Sequence, residues 1–324
     1  MKAVSIFLLC LVSTSLFSQK DTLIANREKR LAIFLNTLRK SSTDQDKINA
    51  NTVFRDYLLE TIQYPTSYGY SFESLTSLGI ITSPDNAFKL YCWNVEMEDA
   101  SNRFYCFLVR KGKRKHKNKV IEFLEKSTIS PMSQDVLTEN NWYGALYYKI
   151  IPIEKGSKKL YTLLGWRSNG TLSHSKLIDV ISIHGTHVKF GDLVFKNKRE
   201  VKRRVCFEYS KKSLMSLKYE VNFERIIFDH LSPESPSMTG FYEYYVPDMS
   251  HDAYIFEEDK WVLKEDVIGI NSPDKQTIKQ TTIDPATGKI MEVEVPNEWV
   301  DPSDKSAPGG GGVHTPVIPR PRKK

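Results

Sequence analysis

The chain has 324 residues, of which 40% are hydrophobic and 11% aromatic, with a formal net charge of +7. That composition is globular, and no apolar run approaches the roughly 20 residues that a helical membrane span needs. The positive excess is concentrated in Arg110–Lys119, Lys196–Arg204 and Arg320–Lys324. Such runs are read as solvated loops or tails, and Lys111–Lys119 has none of the interleaved aromatics that nucleic-acid stacking requires. Nucleic acid is therefore not an expected partner, and an envelope protein or an anionic glycan is.

Residues 1–18 have the layout of a cleavable secretory signal. Lys2 precedes an apolar run from Ala3 to Leu11, and a small-residue stretch from Val12 to Ser18 ends before Lys20 and Asp21. Cleavage after Ser18 leaves Gln19 first and implies a periplasmic or secreted protein. Leu9 before Cys10 argues against lipidation.

Residues 19–70 form an N-terminal helical segment. Leu31, Phe34, Leu35 and Leu38 share one face of a helix. A second helix starts at Thr43 or Asp44, either of which can cap it, and runs through Ala50, Phe54, Tyr57 and Leu58 before Pro65 and Gly69 end it.

Residues 71–270 change to strand periodicity. The runs pair as Phe88–Val95 with Arg103–Val109, Trp142–Ile151 with Leu160–Trp166, and Leu177–Ile183 with Val188–Val194. Leu214–Tyr219 with Arg225–Leu231 and Phe241–Val246 with Tyr254–Leu263 follow. Short links favour antiparallel hairpins, because parallel strands need a crossover. The expected fold is mainly β, an antiparallel meander forming a barrel or a two-sheet sandwich with the short helical pair on one side. Residues 271–324 read as a flexible Pro/Gly-rich tail in which Ile290–Val295 adds one edge strand.

Ser83-Pro84-Asp85 ahead of Phe88-Lys89-Leu90-Tyr91-Cys92-Trp93, the run Trp142 to Tyr148, and Tyr161-Thr162-Leu163-Leu164-Gly165-Trp166 carry a resemblance. With Phe228 to Pro233, Pro247-Asp248 and Asp252-Ala253-Tyr254, the chain resembles a family of uncharacterised exported proteins of Bacteroidota. The resemblance covers about Phe72 to Val267 and implies a compartment without an activity. Asn86 departs from it, standing where glycine is more usual.

Serine-nucleophile, phosphate-loop, zinc-protease and paired Cys-x-x-Cys signatures are absent from the sequence. His184 and His187 face each other across a Gly185-Thr186 turn, but a metal site would need His174 or Asp192 as well. No metal or cofactor is expected. Trp142, Tyr143, Tyr147 and Tyr148 read as core and cross-strand pairs before they read as a sugar platform.

Asp229, His230, Asp248, His251 and Asp252 are the polar candidates. They serve acid–base chemistry if carboxylate and imidazole meet, and turn capping if they do not. Cys92 and Cys106 are equidistant from Asp99 in one predicted hairpin, so a cross-strand disulfide is within reach if the register is symmetric; Cys206 is left over. The expected function is a non-catalytic binding or structural module of the cell envelope. The alternative is a secreted hydrolase using Asp229, His230, Asp248 or Asp252, and convergence of these residues in a concave pocket favours the alternative.

Overall fold

In the computed structural model, which describes residues 22–113, 116–198, 200–267, 277–283 and 290–296, two helices come first. α1 covers residues 22–40 and α2 covers Asp44–Gln63. The expected signal segment, and the expected tail apart from two strands, lie outside the described residues. Ile24, Leu31, Leu35 and Leu38 form the buried stripe of α1, and Phe54, Leu58 and Ile62 that of α2. The Thr43 hydroxyl accepts the Asp46 backbone N–H at 3.2 Å, and Asp44 and Asp46 occupy the first turn, where the helix dipole favours negative charge. Tyr64 is extended ahead of Pro65, the conformation proline imposes on its predecessor. No helix among the described residues is long and apolar enough to cross a membrane.

The strands then build three sheets. β1 (Gly79–Thr82), β2 (Lys89–Glu96), β3 (Asn102–Arg110) and β4 (Lys119–Phe123) form the first, antiparallel and in chain order. The second contains β5 (Leu137–Thr138), β6 (Leu146–Lys155), β7 (Lys158–Ser168), β8 (Ser173–His184) and β9 (His187–Phe190), in the order β5-β9-β8-β7-β6. β10 (Phe195–Lys196) and β11 (Val201–Lys202) begin the third, and the chain then returns so that β12 (Val205–Ser210) pairs with β8. β13 (Leu217–Glu220), β14 (Arg225–Pro233), β15 (Tyr245–Glu257) and β16 (Lys260–Lys264) complete the third sheet in the order β11-β10-β16-β15-β14-β13. A separate unit from Gly269 onward contains an antiparallel hairpin of β17 (Thr277–Ile283) and β18 (Ile290–Pro296).

Alternation along the strands assigns the layers. Leu90 and Cys92 of β2, with Phe104, Cys106 and Leu108 of β3, share a core with Tyr147, Leu163, Leu177 and Ile181 of the second sheet. The opposite face of β2 and β3, carrying Tyr91, Trp93, Val95, Phe107 and Val109, packs with the helices. Leu160, Leu164, Ile178 and Val180 of the second sheet point the other way, onto Ile226, Phe228, Tyr254 and Trp261 of the third. The order is helices, first sheet, second sheet, third sheet, so two sheets are covered on both faces. Strands buried in this way read as continuous apolar runs. Polar bonds also cross the layers, among them Trp93 Nε1 donating to Asn51 of α2 at 2.8 Å and Trp261 Nε1 to the Thr162 hydroxyl at 2.9 Å.

The mainly β, antiparallel assignment with two N-terminal helices holds, with three corrections. Three sheets stack instead of two, and β10 pairs with β16 in parallel. Phe241–Val246 is not a strand partner of Tyr254–Leu263: residues Tyr242–Tyr244 form a short 3₁₀ turn, and the later run folds on itself as the β15–β16 hairpin. Glu258 and Asp259 make that turn with positive φ, outside the regular strand region. Finally, the basic run Lys196–Arg204 is not wholly solvated, because Arg204 is completely buried.

Arg204 lies one residue before β12 and its Nε donates to Asp179 Oδ2, in the middle of β8, at 2.9 Å; both side chains are 0% exposed. The Tyr143 hydroxyl donates to the same carboxylate oxygen at 3.1 Å, and the Val180 N–H to the other at 2.7 Å. Tyr147 and Trp142 continue the chain of hydrogen bonds behind Tyr143, at 3.0 and 2.8 Å. Arg204 Nη1 donates to the carbonyls of Ser133 and Asp135. Its Cζ sits 5.3 Å from the Tyr143 ring centroid, where the π face attracts a cation. Trp142, Tyr143 and Tyr147 are thus core residues, although Trp142 and Tyr143 precede β6 and owe their burial to this network and not to strand alternation.

Replacing Arg204 by Met leaves a buried carboxylate without its cation and costs about 3–5 kcal/mol. Arg204→Met combined with Asp179→Leu recovers most of that loss. Urea unfolding of wild type, single and double variants measures both, and equal losses in single and double variants would show that the two charges are not a pair.

Candidate functional site

A pocket of about 380 Å³ opens where β12 of the second sheet faces β14 and β15 of the third. Its apolar wall follows from strand alternation: Phe207 packs against Phe228 with ring centroids 4.5 Å apart, and Phe228 stacks on Tyr254 at 5.7 Å. Tyr242, from the 3₁₀ turn between β14 and β15, and Tyr245, the first residue of β15, line it with centroids 5.2 Å apart, and Tyr242 is 48% exposed. Gln134 and Lys202 also line it. The Gln134 side-chain carbonyl accepts the Arg203 N–H at 2.8 Å and its amide donates to the Arg204 carbonyl at 3.2 Å, fixing the approach to β12.

The β14–β15 ladder breaks beside this pocket. Asp229 pairs with His251, but the next pair is Leu231 with Pro247, so His230 stands opposite Asp248, Met249 and Ser250. Irregularities of this kind re-aim a side chain, and this one takes His230 out of the ladder's alternation. Its Nδ1 lies 2.8 Å from Asp252 Oδ2. The Asp252 side chain is 8% exposed and that of His230 47%. The other carboxylate oxygen of Asp252 accepts the Asp266 N–H at 3.1 Å. A carboxylate can only accept, so Nδ1 carries the hydrogen, and Nε2 is a lone pair in the neutral ring or an N–H donor in the imidazolium.

The hydrogen bond to Asp252 raises the His230 pKa above its usual value, against partial burial, and the charges of Asp252, Asp248 and Asp266 act in the same direction. Asp248 is a different case. It accepts the Ser232 hydroxyl at 2.7 Å and both the N–H and hydroxyl of Ser250, at 3.1 and 2.7 Å, and these bonds, Ser232 first, hold its pKa down to about 2. It therefore caps the turn, as aspartate after proline does. Asp229 accepts the Ser216 N–H at 2.7 Å and lies 3.3 Å from His251 Nε2.

Of the five sequence candidates, Asp229, His230 and Asp252 line the pocket, while Asp248 and His251 lie outside its lining. The aromatic wall, Gln134 and Lys202 escaped sequence reasoning, because β12 meets β14 only through the stacking of two sheets. The one available signal was Phe207 beside the charged end of the basic run.

His184 and His187 are opposed across the Gly185-Thr186 turn as expected. His187 turns to Glu139 at 2.9 Å and His184 to the Ser182 hydroxyl at 3.1 Å. Among the described residues, no three or more His, Cys, Asp or Glu are placed to share a metal ion. No protein-family model, curated protein or solved structure matches the chain.

The raised His230 pKa sets the sign of its pH dependence. The pair's contribution to stability is fully present below the unfolded histidine value of about 6.5 and is lost as pH rises through the higher folded value. An NMR titration of the imidazole should give a folded pKa above that reference, and Asp252→Asn should lower it. An unchanged titration in Asp252→Asn would show that the contact does not control the proton.

Proposed function

We propose that the protein is an exported, non-catalytic binding module whose ligand seat is the pocket between β12 and β14–β15. The observation that carries this reading is the meeting of aromatic walls with the His230–Asp252 pair in one cavity of a size usual for small-ligand sites. The secretory layout of residues 1–18 and the family resemblance support export. Phe207 and the exposed Tyr242 offer faces for a ring, while Lys202 and protonated His230 offer positive charge. Ring stacking beside cations suits an acidic sugar unit of an anionic glycan.

The pocket is poorly equipped for covalent chemistry. The Ser232 hydroxyl donates to Asp248 and not to His230. Burial pushes the thiol of Cys206, the one cysteine in the lining, up to about 12, which keeps it protonated and unreactive.

Calorimetry with uronic-acid oligosaccharides and neutral oligosaccharides of equal length tests the reading. The acidic series should bind more tightly, and more tightly below the His230 pKa than above it. His230→Ala should weaken binding about tenfold, or about 1.4 kcal/mol. Equal affinity for neutral and acidic series would sink the charge-based assignment.

The hydrolase reading retains two favouring observations: Asp229, His230 and Asp252, three of the four residues it names, converge in this pocket, and the His230–Asp252 contact can orient a base. A carboxylate holding Nδ1–H leaves Nε2 free as a base toward a water molecule. If the protein turns over ester or glycoside probes, His230→Ala should abolish that activity and Asp252→Asn should reduce it. Turnover unaffected by either substitution would remove the pair from any catalytic role.

A further inference from the structure

We infer that Cys92 and Cys106 are a disulfide site that is oxidised before the sheets close over it. The two residues are directly opposed in the β2–β3 ladder, and their Sγ atoms lie 2.8 Å apart as free thiols. Directly opposed residues have Cα atoms about 4.5–5.5 Å apart, inside the range a disulfide spans. The sulfurs need to approach by less than about 1 Å to reach bonding distance. The register is fixed from both ends: Asp99 and Ala100 make the turn, with Ala100 at φ 62°, and every pair from Glu96–Asn102 to Lys89–Val109 is in step. This inference is independent of the pocket.

Burial decides when the bond can form. Both cysteines are 1% exposed, in the core between the first and second sheets with Phe104, Leu163 and Phe190. Disulfide exchange requires a thiolate and an approach path for the oxidant. Burial pushes the Cys106 thiol well above its ordinary value, with the proximity of Cys92 adding to the shift, and the closed core leaves neither sulfur an approach path for the oxidant. The β2–β3 hairpin alone brings the thiols together before β6–β9 cover them.

The oxidant is a carrier disulfide, either oxidised glutathione or a thiol oxidase of an oxidising compartment. One thiolate attacks the carrier to give a mixed disulfide and release one carrier thiol. The second cysteine then displaces the other carrier sulfur. The pair loses two electrons and two protons, and the carrier is reduced to two thiols. Cys206 is a poor competitor because it sits on β12 opposite Leu177, in the second sheet.

The full chain, reduced and denatured, is refolded with a mixture of oxidised and reduced glutathione, alkylated, and mapped without reduction. A linked Cys92–Cys106 peptide is expected as the major species, melting at a higher temperature than the reduced protein. The Cys92→Ser/Cys106→Ser variant should show no redox dependence of its melting. Free thiols at both positions, or linkage of either to Cys206, would overturn the site. In the second arm, protein folded in its reduced state meets the same mixture, and Cys92 and Cys106 are expected to stay reduced for far longer than refolding takes. Equally fast bridging of folded protein would overturn the stated order of events.

Discussion

Arg204 and Asp179 are a guanidinium and a carboxylate removed from water, and such a pair is tolerable only with good geometry and further hydrogen bonds. Nε and Nη1 make such bonds here, while Nη2 is buried without a partner among the described residues. The partners come from different parts of the chain: Tyr143 and the Ser133 and Asp135 carbonyls from the segments before β6, Asp179 from the centre of β8, and Arg204 from the lead into β12. Holding them together sets where β12 enters the second sheet, and with it the position of Phe207 opposite Phe228. Gly191 belongs to the same constraint. It has a φ of +91°, and a Cβ there would stand 3.1 Å from Arg204 Nη2, so the backbone must be bare where the guanidinium passes.

Local periodicity made much of this architecture legible. The stripe of α1, the Thr43 cap, and the β2–β3, β6–β7 and β8–β9 hairpins all followed from spacing and turn residues. What stayed hidden depended on long-range meetings. Nothing in Val205–Ser210 says that it pairs with β8 and not with its nearest neighbours, and Arg204 was disguised by the lysines and arginine beside it. Asp179, one charge inside the apolar run Leu177–Ile181, was the visible sign that a buried cation existed elsewhere. The candidate site was half legible. Its acidic and imidazole residues could be named, but their partners depended on the break at His230, which no spacing rule reports.

Asp248 and Asp252 show how environment divides identical side chains only four residues apart. Asp248 is exposed and surrounded by hydroxyl and amide donors, so its charge is spent on local geometry. Asp252 is buried and faces one imidazole and one amide. Its charge therefore acts on His230, and through His230 on whatever enters the pocket. The same division separates a turn cap at Asp248 from an imidazole contact at Asp252.

The parallel pairing of β10 with β16 joins Phe195 to Trp261. Contacts between residues so distant in the chain carry a high closure entropy and form late in folding. The strand pairings of the first sheet, by contrast, involve nothing beyond Phe123. As a chain emerges N-terminus first, this sheet can pair while the third sheet is still waiting for its last strand. The pocket, with one wall in each of two sheets, is therefore the last feature to be made, and the interval before its completion is when Phe207, Phe228 and Tyr254 are most open to non-native association.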